Sequence, residues 1–174
     1  YKNLIKNGFN LTGFDLSPLQ LDALSEFGGT PAATCLEVGE NSDAVFIMVL
    51  NGDQVKSAIF GEKGLLEGLK PGSTIIVSAT IHPSEIREIE QLLSDTDVHL
   101  VDTPVSGGKP GAKSGTLTMM TAAPQDVFDN IKPVLEAVGK NIFHVGEEIG
   151  LGQTVKASLQ ALIGTTFTAI FESL

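Results

Sequence analysis

Cysteine is nearly absent from this chain of 174 residues: Cys35 stands alone, so no internal disulfide can brace the fold. A lone thiol suits a reducing compartment, which makes the cytoplasm the expected location. Cys35 itself reads as a small hydrophobe near the start of a helix. Cations are also scarce. Against 21 Asp and Glu there are 11 Lys and Arg, leaving a net charge of −10. A sequence-independent grip on DNA or RNA needs clustered positive charge, so no nucleic-acid partner is expected. The acidic balance describes a solvated surface. No stretch approaches the roughly 18 consecutive apolar residues of a membrane span, and no signal peptide is visible, so no membrane partner is expected. His82, His99 and His144 are isolated from one another. With no His-Glu-x-x-His, cysteine cluster or carboxylate cluster, no metal site is expected. A Gly-x-Ser-x-Gly nucleophile elbow is missing too, which argues against a serine hydrolase.

What the chain does have is apolar content in a regular order. Hydrophobic residues make up 42%, enough at this length for one substantial core. Its 19 glycines and 8 prolines fall mostly between periodic segments and read as turns. Apolar strand candidates lie at Asn10–Phe14, Ala44–Leu50, Thr74–Ser78, Val98–Val101, Leu117–Thr121 and Asn141–Val145. Helical patterns alternate with them at Ser17–Phe27, Asp53–Phe60, Pro83–Ser94 and Gln125–Val138. Ser17-Pro18 supplies an N-cap with proline at the first helical position, and Pro83-Ser84 and Pro124-Gln125 mark two further helix starts. Val45-Phe-Ile-Met-Val-Leu50 is continuously apolar, as a strand covered on both faces requires. Alternating β and α units with buried strands predict an α/β fold built on a doubly wound, mostly parallel sheet.

After Gly146 the pattern changes. Gly150 to Leu174 contains no proline and reads as one long helix with a wide apolar face. A domain boundary is therefore expected between residues 148 and 149, with 1–148 the α/β domain and 149–174 the start of a helical one. Both ends look cut. Tyr1 to Lys6 reads as the last turns of a helix already under way, and Leu174 lies inside an apolar helical pattern.

Three ordered motifs carry chemical information. Asp102-Thr103-Pro104-Val105-Ser106-Gly107-Gly108 follows an apolar strand and breaks into a loop whose backbone N–H groups suit an anion such as a carboxylate. Gly115-Thr116-Leu117-Thr118 comes next, and Gly150-Leu-Gly152-Gln-Thr-Val-Lys156 opens the long helix with a lysine in its first turns. Together, over nearly the whole chain, they resemble the β-hydroxyacid dehydrogenases. That family includes 3-hydroxyisobutyrate, tartronate semialdehyde and threonate dehydrogenases and is 6-phosphogluconate dehydrogenase-like. The resemblance implies a Rossmann-like domain lacking here its first strand and glycine loop, then the first long helix of an all-α domain that binds substrate and dimerises. It also implies a nicotinamide cofactor, a small hydroxy-acid substrate and a homo-oligomer.

For the cofactor, Asp15 closes a strand candidate ahead of an N-capped helix. In dinucleotide folds an acidic residue there hydrogen-bonds the adenosine ribose, about 20 residues after the glycine-rich fingerprint. Counting back that far lands before Tyr1, so a clipped amino terminus accounts for the absence of Gly-x-Gly-x-x-Gly. A turn former or cap is the plain alternative for Asp15. An Asp repels a 2′-phosphate and no Arg follows in Leu16-Ser17-Pro18, which favours NAD over NADP. Val49-Leu50-Asn51 and Ala79-Thr80-Ile81-His82-Pro83 each follow a buried strand, at the edge where open α/β sheets bind ligands. The resemblance implies that Leu50, Asn51 and Thr80 contact the cofactor, with Leu50 replacing the family's Pro and Ala79 its Ser. Read alone, Asn51 is a turn former and Thr80 a hydroxyl at a helix terminus.

Taking a hydride from an alcohol requires a base for the hydroxyl proton and an anchor for the substrate carboxylate. Lys156 is the candidate acid/base, with Gln160 one turn farther along the same helix face. Lysine at its ordinary pKa is a poor base at neutral pH, and burial in a cleft lowers that value. A surface lysine is the alternative. The resemblance implies that Ser106, Gly107 and Gly108 hold the carboxylate, that Gln160 touches substrate, and that Gly115-Thr116-Leu117-Thr118 supports the loop. Where the family reads Lys-x-x-Asn-Asn, this chain reads Lys156-Ala-Ser-Leu159-Gln160. Leu159 loses one amide and Gln160 lengthens the other, as in the threonate branch. The leading expectation is an NAD-dependent 3-hydroxy acid dehydrogenase. An NADPH-dependent reductase of the glyoxylate or succinic semialdehyde type is one alternative, and a non-catalytic dehydrogenase-like oligomerisation module is another.

Overall fold

A computed structural model describes residues 1–174. In chain order the elements are α1 (Lys2–Lys6), β1 (Thr12–Gly13), α2 (Pro18–Glu26), β2 (Thr30–Pro31), α3 (Cys35–Glu40), β3 (Ala44–Ile47), α4 (Gly52–Phe60), α5 (Leu65–Gly68) and β4 (Thr74–Val77). They continue as α6 (Pro83–Leu93), β5 (His99–Asp102), β6 (Val105–Ser106), α7 (Gly108–Ser114), β7 (Leu117–Ala122), α8 (Gln125–Glu136), β8 (Gly139–Gly146) and α9 (Leu151–Glu172). No helix is long and apolar enough to cross a membrane.

The most buried strand, one in from the β3 edge of the larger sheet, is β4. Its Thr74-Ile-Ile-Val77 is β-branched throughout and buried at every position, the pattern of a strand sandwiched on both faces. It pairs in parallel with β3 and β5, so that Ile47, Val77 and Asp102 end in one row. Alternate side chains feed two cores. Ile75 and Val77 join Val55, Ile59, Ile86 and Ile89 on the side of α4 and α6, whereas Ile76 and Val101 join Phe128, Ile131 and Leu135 of α8 on the other. Helix α6 presents Ile86, Ile89 and Leu93 to the sheet at helical spacing. Its start is fixed by a reciprocal cap: His82 Nδ1 accepts from the Ser84 N–H at 3.2 Å and the His82 N–H donates to Glu85 Oε2 at 2.7 Å.

Several details depart from the sequence reading. Within the mostly parallel pairing expected, β7 alone brings antiparallel neighbours, running against β5 and β6 and along β8. Strands β1 and β2 form a separate parallel pair, and β3 stands at the end of the larger sheet. Strand β3 stops at Ile47 rather than Leu50, where its helical cover also stops; Met48 is 62% and Leu50 86% exposed. The Ser17 hydroxyl makes no cap bond, and Asp15 Oδ1 instead accepts the Ser17 N–H at 2.8 Å. The segment expected as an open Ser106-Gly107-Gly108 loop is divided between β6 and α7. Pairing of Ser106 with Thr118 draws it into the sheet.

Ile89 has no exposed surface, so Ile89→Ala is expected to cost about 2–5 kcal/mol through lost burial and the cavity left behind. Urea unfolding measures it. A loss below about 0.5 kcal/mol, the range of unremarkable surface changes, would contradict the packing of α6 on β4.

Candidate active site

Strand β5 ends in a carboxylate with no exposed surface, Asp102. A buried charge must be satisfied by donors, and these come from the start of α9. The Gly150 and Gln153 N–H groups donate to Asp102 Oδ2 at 3.0 and 3.1 Å, and Gln153 Nε2 donates to Oδ1 at 3.0 Å. The amino end of a 22-residue helix thus meets a negative group, the favourable pole of its dipole. Gln153 is itself 1% exposed and reaches the segment after β4: Nε2 also donates to Ala79 O at 3.0 Å, and Oε1 accepts the Ile81 N–H at 3.1 Å.

Glycine makes this approach possible. A Cβ at Gly152 would lie 2.5 Å from Met120 O and 2.8 Å from Asp102 O, so the helix start could not sit so close with any side chain there. Gly150 adopts φ 99°, the left-handed region, as the chain turns into the helix. One turn beyond Gly152, Lys156 is 8% exposed. Burial lowers its pKa from the ordinary lysine value, and neither ion pair of the chain involves it, these being Lys56–Glu88 and Arg87–Glu148.

The other expected residues follow strand ends or lie farther along α9. Leu50, Asn51 and Thr80 follow the ends of β3 and β4 and are exposed. Asn51 Oδ1 caps α4 by accepting the Gln54 N–H at 2.9 Å, which leaves its amide NH2 unused. Asp15 lies exposed after β1, with one oxygen engaged by Ser17. Ser106, Gly107 and Gly108 stand where β6 and β7 run on past the end of β5, and the two glycines take φ 122° and 59°. Leu117 packs beside Gly107 and Gly111, so the Gly115–Thr118 segment does brace this bend. Gln160 is exposed on α9 beyond Lys156. The histidines are elsewhere: His144 bonds Ala123 O at 2.8 Å and stacks on Phe128, His82 caps α6, and His99 opens β5. Two open concavities, beside Glu90 and His99 and beside Phe9 and Thr30, contain none of the expected site residues.

Sequence reasoning gave Asp102 and Gln153 no role. Both stood inside the quoted motifs, and the available signal was Gln153 sharing the lysine's helix face with an acidic residue closing a buried strand.

Burial pushes the Asp102 carboxyl up to about 6, against its hydrogen bonds from Gln153 and Gly150, which pull the other way. The folded-state value lies above the ordinary 3.8. Between the two, the folded chain keeps a proton that the unfolded chain has released. The group's stabilising contribution is therefore full below about pH 4 and lost as pH rises through about 6. The gap of about 2 units amounts to about 3 kcal/mol. Urea unfolding of the parent and of Asp102→Asn at pH 4 and pH 7 is expected to show the parent losing about that much relative to the variant. A difference that stays constant with pH would contradict the raised value.

Residues 1–146 match the family described as the NAD binding domain of 6-phosphogluconate dehydrogenase. The L-threonate dehydrogenase of Pectobacterium atrosepticum is 37% identical over 171 residues, 98% of this chain and 56% of that protein. The 2-hydroxy-3-oxopropionate reductase of Escherichia coli is 36% identical over 172 residues, 99% of this chain and 58% of that protein. Among solved structures, a 3-hydroxyisobutyrate dehydrogenase from Salmonella typhimurium superposes with a TM-score of 0.91 at 34% identity, covering 99% of this chain and 60% of that one. The chain thus spans a little over half the length of these curated relatives. A matched cofactor domain continuing into a helix that opens with Gly150-Leu-Gly152-Gln153 and buries Lys156 makes this chain a member of the β-hydroxyacid dehydrogenase family.

Proposed function

We propose that this chain is the cofactor-binding part of an NAD-dependent 3-hydroxy acid dehydrogenase, with Lys156 as its general acid/base. The observation that carries the reading is a buried lysine without an ion-pair partner, held at the carboxyl edge of the sheet with its pKa lowered by burial. A lysine shifted in that direction is neutral more often at physiological pH and so can take a proton from a hydroxyl. In the reverse direction its ammonium returns the proton to the alkoxide oxygen.

The residues at the edge fit a dinucleotide. Asp15 has a free carboxylate oxygen for a ribose hydroxyl, Asn51 a free amide NH2, Thr80 an exposed hydroxyl and Leu50 an exposed apolar side chain. The buried Ser78 Oγ, after β4, has no hydrogen-bond partner. When bound, a nicotinamide supplies the site that accepts the substrate's hydride. The carboxylate at Asp15 disfavours a 2′-phosphate, hence NAD. Strand β3 leaves a free edge at the end of the larger sheet, beside the residues assigned to the cofactor.

For the substrate, the Ser106 hydroxyl and the Gly107 and Gly108 amides hold the carboxylate, and the Gln160 amide reaches a further hydroxyl. The longer Gln160 and the threonate dehydrogenase relative together favour an acid of threonate size. Residues 1–148 form the cofactor domain and 149–174 begin a helical one. Leu162, Phe167 and Phe171 of α9, all exposed, suit packing against that domain or a second subunit of a homo-oligomer. A second reading, an NADPH-dependent reductase of a small semialdehyde, is favoured by the relative named as a 2-hydroxy-3-oxopropionate reductase. The buried lysine disfavours a non-catalytic module.

In the longer polypeptide that carries this sequence, Lys156→Met is expected to lower kcat by about 10²–10⁴-fold, the usual contribution of a general acid/base, while NAD still binds. Undiminished turnover would remove Lys156 from the mechanism. Asp15→Ala is expected to weaken NAD more than NADP in fluorescence titrations; an unchanged preference would favour the NADPH reading.

A further inference from the structure

Helix α9 is long, yet its buried residues are confined to its start: Gly152, Gln153 and Lys156. At about 100° per residue these three share one face. From Ala157 to Glu172 no residue is fully buried, and only Leu159 and Ile163 are half-buried. Ile149, just ahead of it, is sunk in the larger core and fixes where the chain arrives. The rotation of the helix about its axis, which decides where Lys156 points, is set by the close approach of Gly152 to Met120 and by the polar contacts of Gln153 and Gly150 with Asp102.

Those contacts do more than hold the helix. The Gln153 amide bonds Ala79 O and the Ile81 N–H, the two residues on either side of Thr80. Thr80 is exposed between them. One side chain therefore grips the segment that presents Thr80 and sits one turn before Lys156, and the Asp102 carboxylate orients that same side chain.

We propose that Asp102 and Gln153 are positioning residues, which through a single shared amide hold Lys156 in fixed register with Thr80. The proposal rests on the reading of Lys156 as acid/base and Thr80 as a cofactor contact, and it adds what sets their relation. Neither positioning residue takes or gives a proton. A buried, ionised Asp102 is costly to stability, and a group kept at such a cost is understood through what it orients.

The test separates place from charge. In this chain, lysine amines are labelled by reductive ¹³C-methylation, and the Lys156 signal is assigned as the one missing from Lys156→Arg. In the parent, Lys156 is expected to titrate below the other lysines. In Gln153→Met, which keeps the volume and removes every amide contact, its titration is expected to move up toward theirs. Asp102→Asn is the second variant should Gln153→Met fail to fold. Loss of a neighbouring negative charge by itself would lower a lysine's pKa, so an upward move there reports lost burial.

A Lys156 titration unchanged or lowered in the folded variants overturns the proposal. In the longer polypeptide, Gln153→Met is expected to reduce kcat by about a hundredfold, the effect of a misplaced group, with a smaller rise in the KM for cofactor through the loosened Thr80 segment. A change confined to KM also overturns it. If Lys156→Met keeps its turnover, the catalytic reading fails by itself, and the lysine titration still decides whether the clamp exists.

Discussion

A carboxylate with no access to water sets the terms for this structure. Asp102 closes β5 inside the sheet and accepts three hydrogen bonds, one from Gly150 at the cap of α9 and two from Gln153 in its first turn. Bonds to a charged group contribute about 1.5–3 kcal/mol each, and removing the donors would leave an unpaired buried charge. The long helix is consequently anchored where the cofactor domain ends. Glycine at 152 is required because the backbone of α9 passes within contact of Met120 and Asp102. A turn later Lys156 is largely buried, and its lowered pKa follows from that burial.

The remainder of the domain presents one row of strand ends. Ile47, Val77 and Asp102 stop in register because β3, β4 and β5 are parallel and share helical cover on both faces. Past that row the chain emerges into solvent, so Leu50, Asn51 and Thr80 are exposed although each follows a buried strand within a few residues. The β6–β7 ribbon carries Ser106 to Gly108 beyond the same row. Packing thus explains how residues far apart in sequence come to one edge without any of them contributing to the core.

Much of this was legible in the amino-acid order. Thr74 to Ser78 announced a buried strand by its apolar run, and Pro83 and Pro124 marked helix starts that the structure keeps within a residue. The longer run Val45 to Leu50 misled, since β3 ends at Ile47 and is buried only at alternate residues. Local signals gave Lys156 and the glycines before it. The short helices α3 and α5 carried too few residues for a periodic pattern. Of Ser106-Gly107-Gly108, Ser106 pairs with Thr118 while the two glycines keep the turn that leads into α7. The Asp102–Gln153 bond joins residues 51 apart, and such a pairing has no local signature.

The most direct measurement is a crystal structure of the longer polypeptide with NAD and a 3-hydroxy acid bound. The account predicts Lys156 Nζ within about 3.2 Å of the substrate hydroxyl, the reach of a general acid/base, with Gln153 still bonded to Asp102. A lysine amine pointing into bulk solvent, with the acid bound elsewhere, would contradict it.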